Sequence, residues 1–536
     1  MVRLVPAPNI LYAVTFVERI DMSFHRQDYI SRRRFLKGAA ALTCVSTFAS
    51  HDPLAAQPEN GPNILYLMTD QMRGDCIACA GNSVIKTPNL DALAREGTLF
   101  SCAHSSTPTC TPARSALLTG LSPWHHGMLG FGEVADQYRV ELPQALRDAG
   151  YWTFGIGKMH WAPRRSLHGF HGTLLDETSP GRSKTFASDY ERWFKKQAPD
   201  LDPFATRLGW NDCRARVYAL PEELHPTWWT GQEAVEFIER YHKPAPFLLK
   251  VSFVRPHSPY DPPKRFMDMY AEDDMPDPHI GKWAARFSEV EQPMRYNLWH
   301  GDLGLKHTRH SRRGYYGSVT FVDEQIGLIL RALKKRHMYD NTLIIFLADH
   351  GDMLGDHHHW RKSYPYEGST KVPMILRWPK SMGYDNRRGT TLAHPVELRD
   401  VLPTFLDVAG ADIPDHLDGM SLLNLVRHES TRWRPYVDME HNVCYHRENH
   451  WNALTDGKIK YIYNACTGRE QLFDLASDPG ETHNLAEEHA RQKTLKDWRN
   501  QLVRHLEERG KPFVSDGELL RRPQGLLYSP MYPRPV

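Results

Sequence analysis

The sequence predicts an α/β fold: a large, mostly parallel sheet flanked by helices, followed by a smaller antiparallel sheet with a helix. Three observations predict it. Four apolar runs of strand length, at 63–69, 246–254, 342–347 and 372–378, are continuous rather than alternating, as befits strands buried on both faces. Helical patterns lie between them, so strand and helix alternate along the chain. Polar clusters repeatedly follow the strand ends, where open α/β sheets form ligand sites.

Taken in order, the first strand ends in Asp70-Gln71. Thr87-Pro88 then opens a helix with Leu90, Leu93 and Ala94 on one face. Pro112 suits a first helical turn, where its missing N–H is no loss. Ala113 to Leu118 are mostly good helix formers, and Gly120 can cap the end. Cys110 should therefore sit at a helix N-terminus, where free amides and the dipole favour an anion. Arg114 lies one turn further on the same face and can reach back to residue 110. A helix over 142–149 and a strand over 151–156 lead into Gly157-Lys158-Met159-His160. Residues 165–230 have no clean periodicity and read as loops over the site. A helix over 232–241 precedes the strand that ends in Arg255-Pro256-His257-Ser258-Pro259. Residues 259–312 form a second long insertion, after which Val319, Val322, Ile326, Ile329, Leu330 and Leu333 mark one face of an amphipathic helix. The next strand ends in Asp349-His350-Gly351. The small sheet is expected over 435–440 and 451–464, with Asp456-Gly457 as a hairpin turn, and a helix from about 486 to 509 closes it.

A chain of 536 residues is too long for one simple core. It divides into a leader (1–56), a catalytic part (60–427), a C-terminal α+β part (428–514) and a peripheral tail (515–536). The net charge of +2 argues against nucleic acid as a partner, so any attraction for anions must be local. Ser31-Arg32-Arg33-Arg34-Phe35-Leu36-Lys37, then a weakly apolar stretch and Ala55-Ala56, resembles a twin-arginine export signal, with cleavage expected between Ala49 and Ala56. That stretch is too short and too polar to span a bilayer, so the expected product is periplasmic or extracellular with no stable membrane span. Of eight cysteines, Cys44 falls in the leader; six others besides Cys110 could pair, but no dense disulfide framework is evident. Cys76 and Cys79 have redox-motif spacing without the thioredoxin-like context and read as structural.

Cys110-Thr111-Pro112-Ala113-Arg114, continuing to Thr119-Gly120, resembles the signature of type I sulfatases in the alkaline phosphatase superfamily. The resemblance runs in order over most of the chain. It includes Pro123 to Gly127, Gly157-Lys158-Met159-His160, Pro256-His257-Ser258-Pro259, Lys362, and a C-terminal signature from Gln471 to Leu485. It implies that a formylglycine-generating enzyme oxidises Cys110 to formylglycine, whose hydrate is the nucleophile. It also implies one divalent metal held by Asp70, Gln71, Asp349 and His350 together with residue 110. Oxygen donors with one imidazole suit a hard cation, and calcium is the family's usual ion. Gln71 and His350 stand where many sulfatases have Asp and Asn, which leaves manganese and magnesium open. Arg114, Lys158 and Lys362 would face the sulfuryl oxygens, His257 or Lys362 would protonate the leaving oxygen, and His160 would take a proton from the second hydroxyl. Lys371 reads as structural, and His357, His358 and His359 as rim or substrate contacts. The implied activity is hydrolysis of a sulfate monoester, on a sulfated saccharide or another sulfated small molecule. Arylsulfatase, choline sulfatase, and phosphonate monoester or phosphodiester hydrolase are the alternatives, and an inactive carbohydrate-binding relative is a remote one.

Overall fold

The apolar run that opens the described chain becomes the middle of a large sheet. The computed structural model describes residues 61–177, 186–290, 298–427, 432–442 and 444–533, so the expected leader lies outside the described residues. The strands are β1 (Asn63–Asp70), β2 (Thr98–Phe100), β3 (Ala103–His104), β4 (Trp152–Gly157), β5 (Gly172–Leu175), β6 (Phe247–Pro256), β7 (Thr342–Ala348), β8 (Met374–Arg377), β9 (Thr390–Leu392) and β10 (Val396–Glu397). They are followed by β11 (Val437–His441), β12 (Trp451–Thr455), β13 (Ile459–Asn464) and β14 (Glu470–Asp474).

Eight strands form the main sheet in the order β5-β4-β6-β1-β7-β8-β2-β9. Ile64 of β1 stands in parallel register between Leu248 of β6 and Leu343 of β7. The sheet is parallel except at β8, which runs antiparallel to both β7 and β2. One group of helices, Pro88–Arg95, Pro226–Arg240 and Leu305–Lys335, packs together against the sheet. A second group, Cys110–Thr119, Leu142–Asp148 and Val401–Ala409, packs together as well, and from it Phe405 meets Tyr66 of β1 edge-on at 5.6 Å. With a helix layer on each side, β1, β6 and β7 have no wet face, which explains why their sequences do not alternate.

Strands β11 to β14 pair antiparallel in chain order. Gly457 closes the β12–β13 hairpin at φ 85°, a conformation that disfavours a side chain. Among the described residues no helix is long and apolar enough to cross a membrane, and all seven cysteines are free thiols.

Several boundaries differ from expectation. The region read as loops over 165–230 contains β5 and the helix Asp189–Gln197, which starts with a Ser188–Glu191 capping box. An edge strand of four residues is too short to show a period. The helix expected from 232 begins at Pro226, capped by the His225 ring. The long helix begins at Leu305, inside the second insertion, because its first turns carry Lys, His and Arg rather than an apolar stripe. The last helix, Gln492–Leu506, is shorter than 486–509 and is flanked by 3₁₀ turns. The stretch expected as a peripheral tail is mostly exposed, but a few of its residues reach the body of the protein. Tyr528 and Tyr532 lie against the main core, and the Leu129 amide donates to the Leu527 carbonyl at 2.9 Å. A Cβ at Gly127 would fall 2.3 Å from the Cα of Tyr532. These contacts join parts of the chain about 400 residues apart, so no local pattern announces them.

Candidate active site

Four neighbouring parallel strands deliver the site at their C-terminal ends. Asp70 ends β1, Lys158 follows β4, His257 follows β6, and Asp349-His350 follow β7. The amide of His257 donates to the Asp70 carbonyl at 3.0 Å, which ties the ends of β1 and β6 together. Cys110 is the first residue of the Cys110–Thr119 helix, as its sequence predicts. Its N-cap, Thr109, is held from the C-terminal sheet by His441 Nε2 at 3.0 Å.

Asp70, Cys110, Asp349 and His350 each offer a ligand atom, and these atoms lie within 4.8 Å of one another. All four are fully buried. His350 Nδ1 donates to the Gly351 carbonyl at 2.9 Å, which turns Nε2 toward Cys110 Sγ at 3.2 Å. A metal-ligating histidine is typically held this way by its other ring nitrogen. Burial acts to lower the His350 pKa, but the neighbouring Asp349 and Cys110 raise it above its ordinary value, so a cation bound there would displace a proton from Nε2. Burial pushes the Asp70 carboxyl up, but Lys158 foremost, with Lys362 and Arg114, holds it well below the ordinary range. Asp349 goes the other way: burial and the Asp70 charge raise it. Two buried carboxylates, one imidazole and residue 110 make a donor set that fits a divalent cation, which would let both carboxylates ionise. Gln71 stands beside this set. Its Nε2 donates to Asp352 Oδ2 at 2.5 Å, and its Oε1 accepts from Lys362 Nζ at 2.7 Å.

Lys158 Nζ lies 2.5 Å from Asp70 Oδ2 and 3.9 Å from Cys110 Sγ, and Lys362 Nζ lies 3.4 Å from the same sulfur. Burial and Asp70 act to raise the Cys110 thiol pKa, but Lys158, Lys362 and His350 outweigh them and hold it well below its ordinary value. His257 donates through Nδ1 to the Ser258 carbonyl at 2.7 Å. Burial, helped by Lys362 and Lys158, keeps its ring neutral, so Nε2 is its free position. The ring of Trp210 stacks on it at 4.3 Å. His160 has a buried Nδ1 without a partner.

Arg114 is a correction. It was expected to face the bound anion and residue 110. Instead Nε donates to Asp349 Oδ2 at 3.0 Å, Nη2 to Asp70 Oδ2 at 3.3 Å, and Nη1 to the Lys158 carbonyl at 2.6 Å and Ser252 Oγ at 3.2 Å. The guanidinium is planar and buried, so these acceptors exhaust its directions. It orders the two carboxylates instead of lining the cavity. The three consecutive histidines also differ from expectation. His357 is buried against Trp283 and Tyr366, His359 packs on Phe287 and Tyr364, and His358 lies 4.0 Å from Asp302, so none of them lines the cavity at Cys110. Lys371 pairs with Glu367 at 3.5 Å.

Above Cys110 opens a cavity of about 270 Å³, whose wall includes Lys158, His160, His257 and Lys362. A nucleophile position at a helix N-terminus, a buried four-donor cluster and two lysines around it match what the Cys-x-Pro-x-Arg signature implies. Residues 62–411 match the sulfatase family model, and residues 355–508 match the C-terminal region of N-sulphoglucosamine sulphohydrolase. The chain belongs to the sulfatase family.

This sulfatase is 38% identical over 472 residues to an arylsulfatase of Clostridium perfringens, covering 86% of this chain and 97% of that one. It is 25% identical to an N-acetylglucosamine-6-O-sulfatase of Bacteroides thetaiotaomicron, over 81% of this chain and 85% of that protein. Among solved structures, the phosphonate monoester hydrolase of Agrobacterium radiobacter superposes with a TM-score of 0.70 at 26% identity, covering 86% of this chain and 99% of that one. The sulfatase is thus a sulfuric ester hydrolase with the large α/β sheet and small C-terminal sheet expected of it.

Sequence reasoning missed several cavity residues of this sulfatase. Trp210 sits in the aperiodic stretch, and Arg361 with Tyr445, a cation–π pair at 4.4 Å, joins two distant segments. Asp352, which anchors Gln71, Tyr260 and the Arg361 amide, carried one available signal: it follows Asp349-His350-Gly351 directly.

Proposed function

We propose that Cys110 is matured to formylglycine and that the enzyme hydrolyses a sulfate monoester on a carbohydrate. The observation that carries this reading is the thiol of Cys110 at a helix N-terminus, between Lys158 and Lys362 and against His350. Sγ there stands in for the oxygens of the hydrated aldehyde. A bound divalent cation, calcium first, would be held by Asp70, Asp349, His350 and Gln71 Oε1, and would supply Lewis acidity toward the sulfuryl group and the attacking hydroxyl.

The chain's own residues do the rest. Lys158 and Lys362 set positive charge around the sulfuryl oxygens, where it is worth most in a water-poor site. Arg114 holds Asp70 and Asp349 in place and keeps the Lys158 carbonyl fixed. His257 offers Nε2 toward the leaving oxygen; since its resting ring is neutral, it acts as a proton donor only once an anion is bound and raises its pKa. Lys362 is the other candidate donor. His160, in the cavity wall with an unpartnered Nδ1, is the candidate to take the proton of the second hydroxyl. The cavity of about 270 Å³ has Phe131, Trp161, Trp210 and Tyr445 in its wall, faces on which a sugar ring can stack. The sulfatase relative that acts on N-acetylglucosamine supports the carbohydrate reading. Export of the protein through the twin-arginine-like leader belongs to the same proposal.

A second reading, phosphonate monoester or phosphodiester hydrolysis, is favoured by Gln71 beside Asp70 and by the structural likeness to a phosphonate monoester hydrolase. The deciding experiment expresses the protein with a formylglycine-generating enzyme, weighs the tryptic peptide ending at Arg114, and then assays matched sulfate, phosphate and phosphonate esters with sulfated sugars. An aldehyde and hydrate pair with a preference for sulfated sugars supports the proposal. An unmodified thiol, or a preference for phosphonates, refutes it.

A further inference from the structure

Beyond the residues already placed around Cys110, one carboxylate in the cavity wall has no part in the chemistry as derived. Glu177 lies two residues past Leu175 of β5, which pairs in register with Gly157 of β4. The chain leaves β4 in an unusual path: Gly157 has φ 94° and His160 has φ 62°, a left-handed conformation uncommon for a residue with a side chain. A Cβ at Gly157 would fall 2.1 Å from the Ser252 carbonyl oxygen, so the path hugs β6 closely. From below, the Lys158 amide donates to Ser252 O at 2.8 Å and Arg114 grips the Lys158 carbonyl. The next two amides, of Met159 and His160, have left the sheet ladder. Both donate to a single atom, Glu177 Oε1, at 2.8 and 2.6 Å. Among the described residues no cation lies within ion-pair distance of this carboxylate.

We propose that Glu177 is a positioning residue for the hydrolysis: its carboxylate clamps the turn that aims Lys158 and His160 at Cys110. The inference rests on the proposed reaction of that site. An ionised acceptor binds amides about twice as strongly as a neutral one, which suits a turn with no ladder partner. Without it, two amides face the cavity wall unsatisfied and His160 is free to leave its left-handed conformation. Lys158 Nζ, now 2.5 Å from Asp70 and 3.9 Å from Cys110, then loses its fixed aim. Where the reaction depends on alignment, a placement error of about 1 Å costs on the order of 100-fold.

The test compares full-length matured wild type, Glu177→Gln and Glu177→Ala on 4-nitrophenyl sulfate, with kcat expressed per titrated formylglycine. Glutamine retains one acceptor oxygen for both amides. The expected result is a kcat for Glu177→Gln within about threefold of wild type, and for Glu177→Ala a fall of roughly 30- to 100-fold that exceeds any rise in KM. Hydrogen exchange supplies a readout independent of turnover: the amides of Met159 and His160 should lose protection in the alanine variant and keep it in the glutamine variant. A merely structural role would lower Tm and the yield of titratable sites but leave kcat per site unchanged. Unchanged kcat and protection in Glu177→Ala, or a glutamine variant as impaired as alanine, would overturn the proposal. If wild type cleaves no sulfate ester, the proposed function fails, and the exchange data alone still decide whether Glu177 holds the turn.

Discussion

Cys110 Sγ lies 3.2 Å from Nε2 of His350, a residue 240 positions away, and the His350 ring is locked in that orientation by its Nδ1 donation to Gly351. With Nδ1 so committed, Nε2 is the nitrogen that a cation shared with residue 110 would engage in place of a proton. Replacing His350 with alanine should weaken calcium binding at least 10- to 100-fold, the range typical of losing even a supporting contact at a metal site. Calorimetric titration of the apo-protein checks this. Unchanged affinity would remove His350 from the ligand set.

Cys110→Ser should abolish turnover while the protein remains folded, provided the host lacks a maturase that oxidises serine. The helix N-terminus tolerates serine well, so circular dichroism and Tm should be near wild type. Near-normal hydrolysis of an aryl sulfate would refute the nucleophile assignment.

Arg114 pairs with both Asp70 and Asp349 through one guanidinium, at 3.3 and 3.0 Å. Arg114→Met takes the shared guanidinium from two buried carboxylates, leaving Asp70 to Lys158 and Asp349 to His350, and should cost about 3–5 kcal/mol of stability in the metal-free protein. Added calcium should restore part of that, since it replaces the missing charge. Urea unfolding with and without calcium measures both, and a metal-independent loss would contradict the assignment.

His257→Gln should impair substrates in proportion to the basicity of their leaving group. A general acid contributes about 10²–10⁴-fold, and an activated aryl leaving group needs little of it. Alkyl or sugar sulfates should therefore lose far more than 4-nitrophenyl sulfate. An equal loss on both would assign the proton donor to Lys362.

Lys250, on β6, is buried with its ammonium 5.2 Å over Tyr66 and 5.7 Å over Trp161. Burial, helped by Arg114, pushes its pKa down to about 7. An unfolded lysine titrates near 10.4, so between about pH 7 and 10 the unfolded chain binds the extra proton. This group's contribution to stability therefore rises with pH across that window, and its penalty is complete below it. Lys250→Met should raise Tm at pH 7 and have a smaller effect at pH 10. The same gain at both values would contradict the depressed pKa.

The elements that were legible share a property: their evidence is contained in a few neighbouring residues. Continuous apolar runs announced β1, β6 and β7 because burial on both faces leaves no alternation. Pro112 and Gly120 bracketed the helix that begins at Cys110. The strand-end clusters Asp349-His350-Gly351 and Gly157-Lys158-Met159-His160 fell where a parallel sheet gathers its ligands. The elements that were not legible lacked such a local mark. β5 is four residues long, the first turns of the 305–335 helix are charged, and the C-terminal stretch that lays Tyr528 and Tyr532 on the core resembles any Pro- and Arg-rich segment.

The sequence by itself determined the fold class, the place of Cys110 at a helix start and most members of the site, because backbone period, capping and short motifs are local properties. The tertiary structure alone decided what those members do to one another. It turned Arg114 away from the cavity and onto Asp70 and Asp349, put Trp210 over His257, and set Glu177 beneath two amides of the Lys158 turn. Each of these depends on the direction of a side chain across a gap closed by other strands. That direction is fixed by packing and by the need of buried charges and amides for partners, and neither is written in the spacing of residues along one segment.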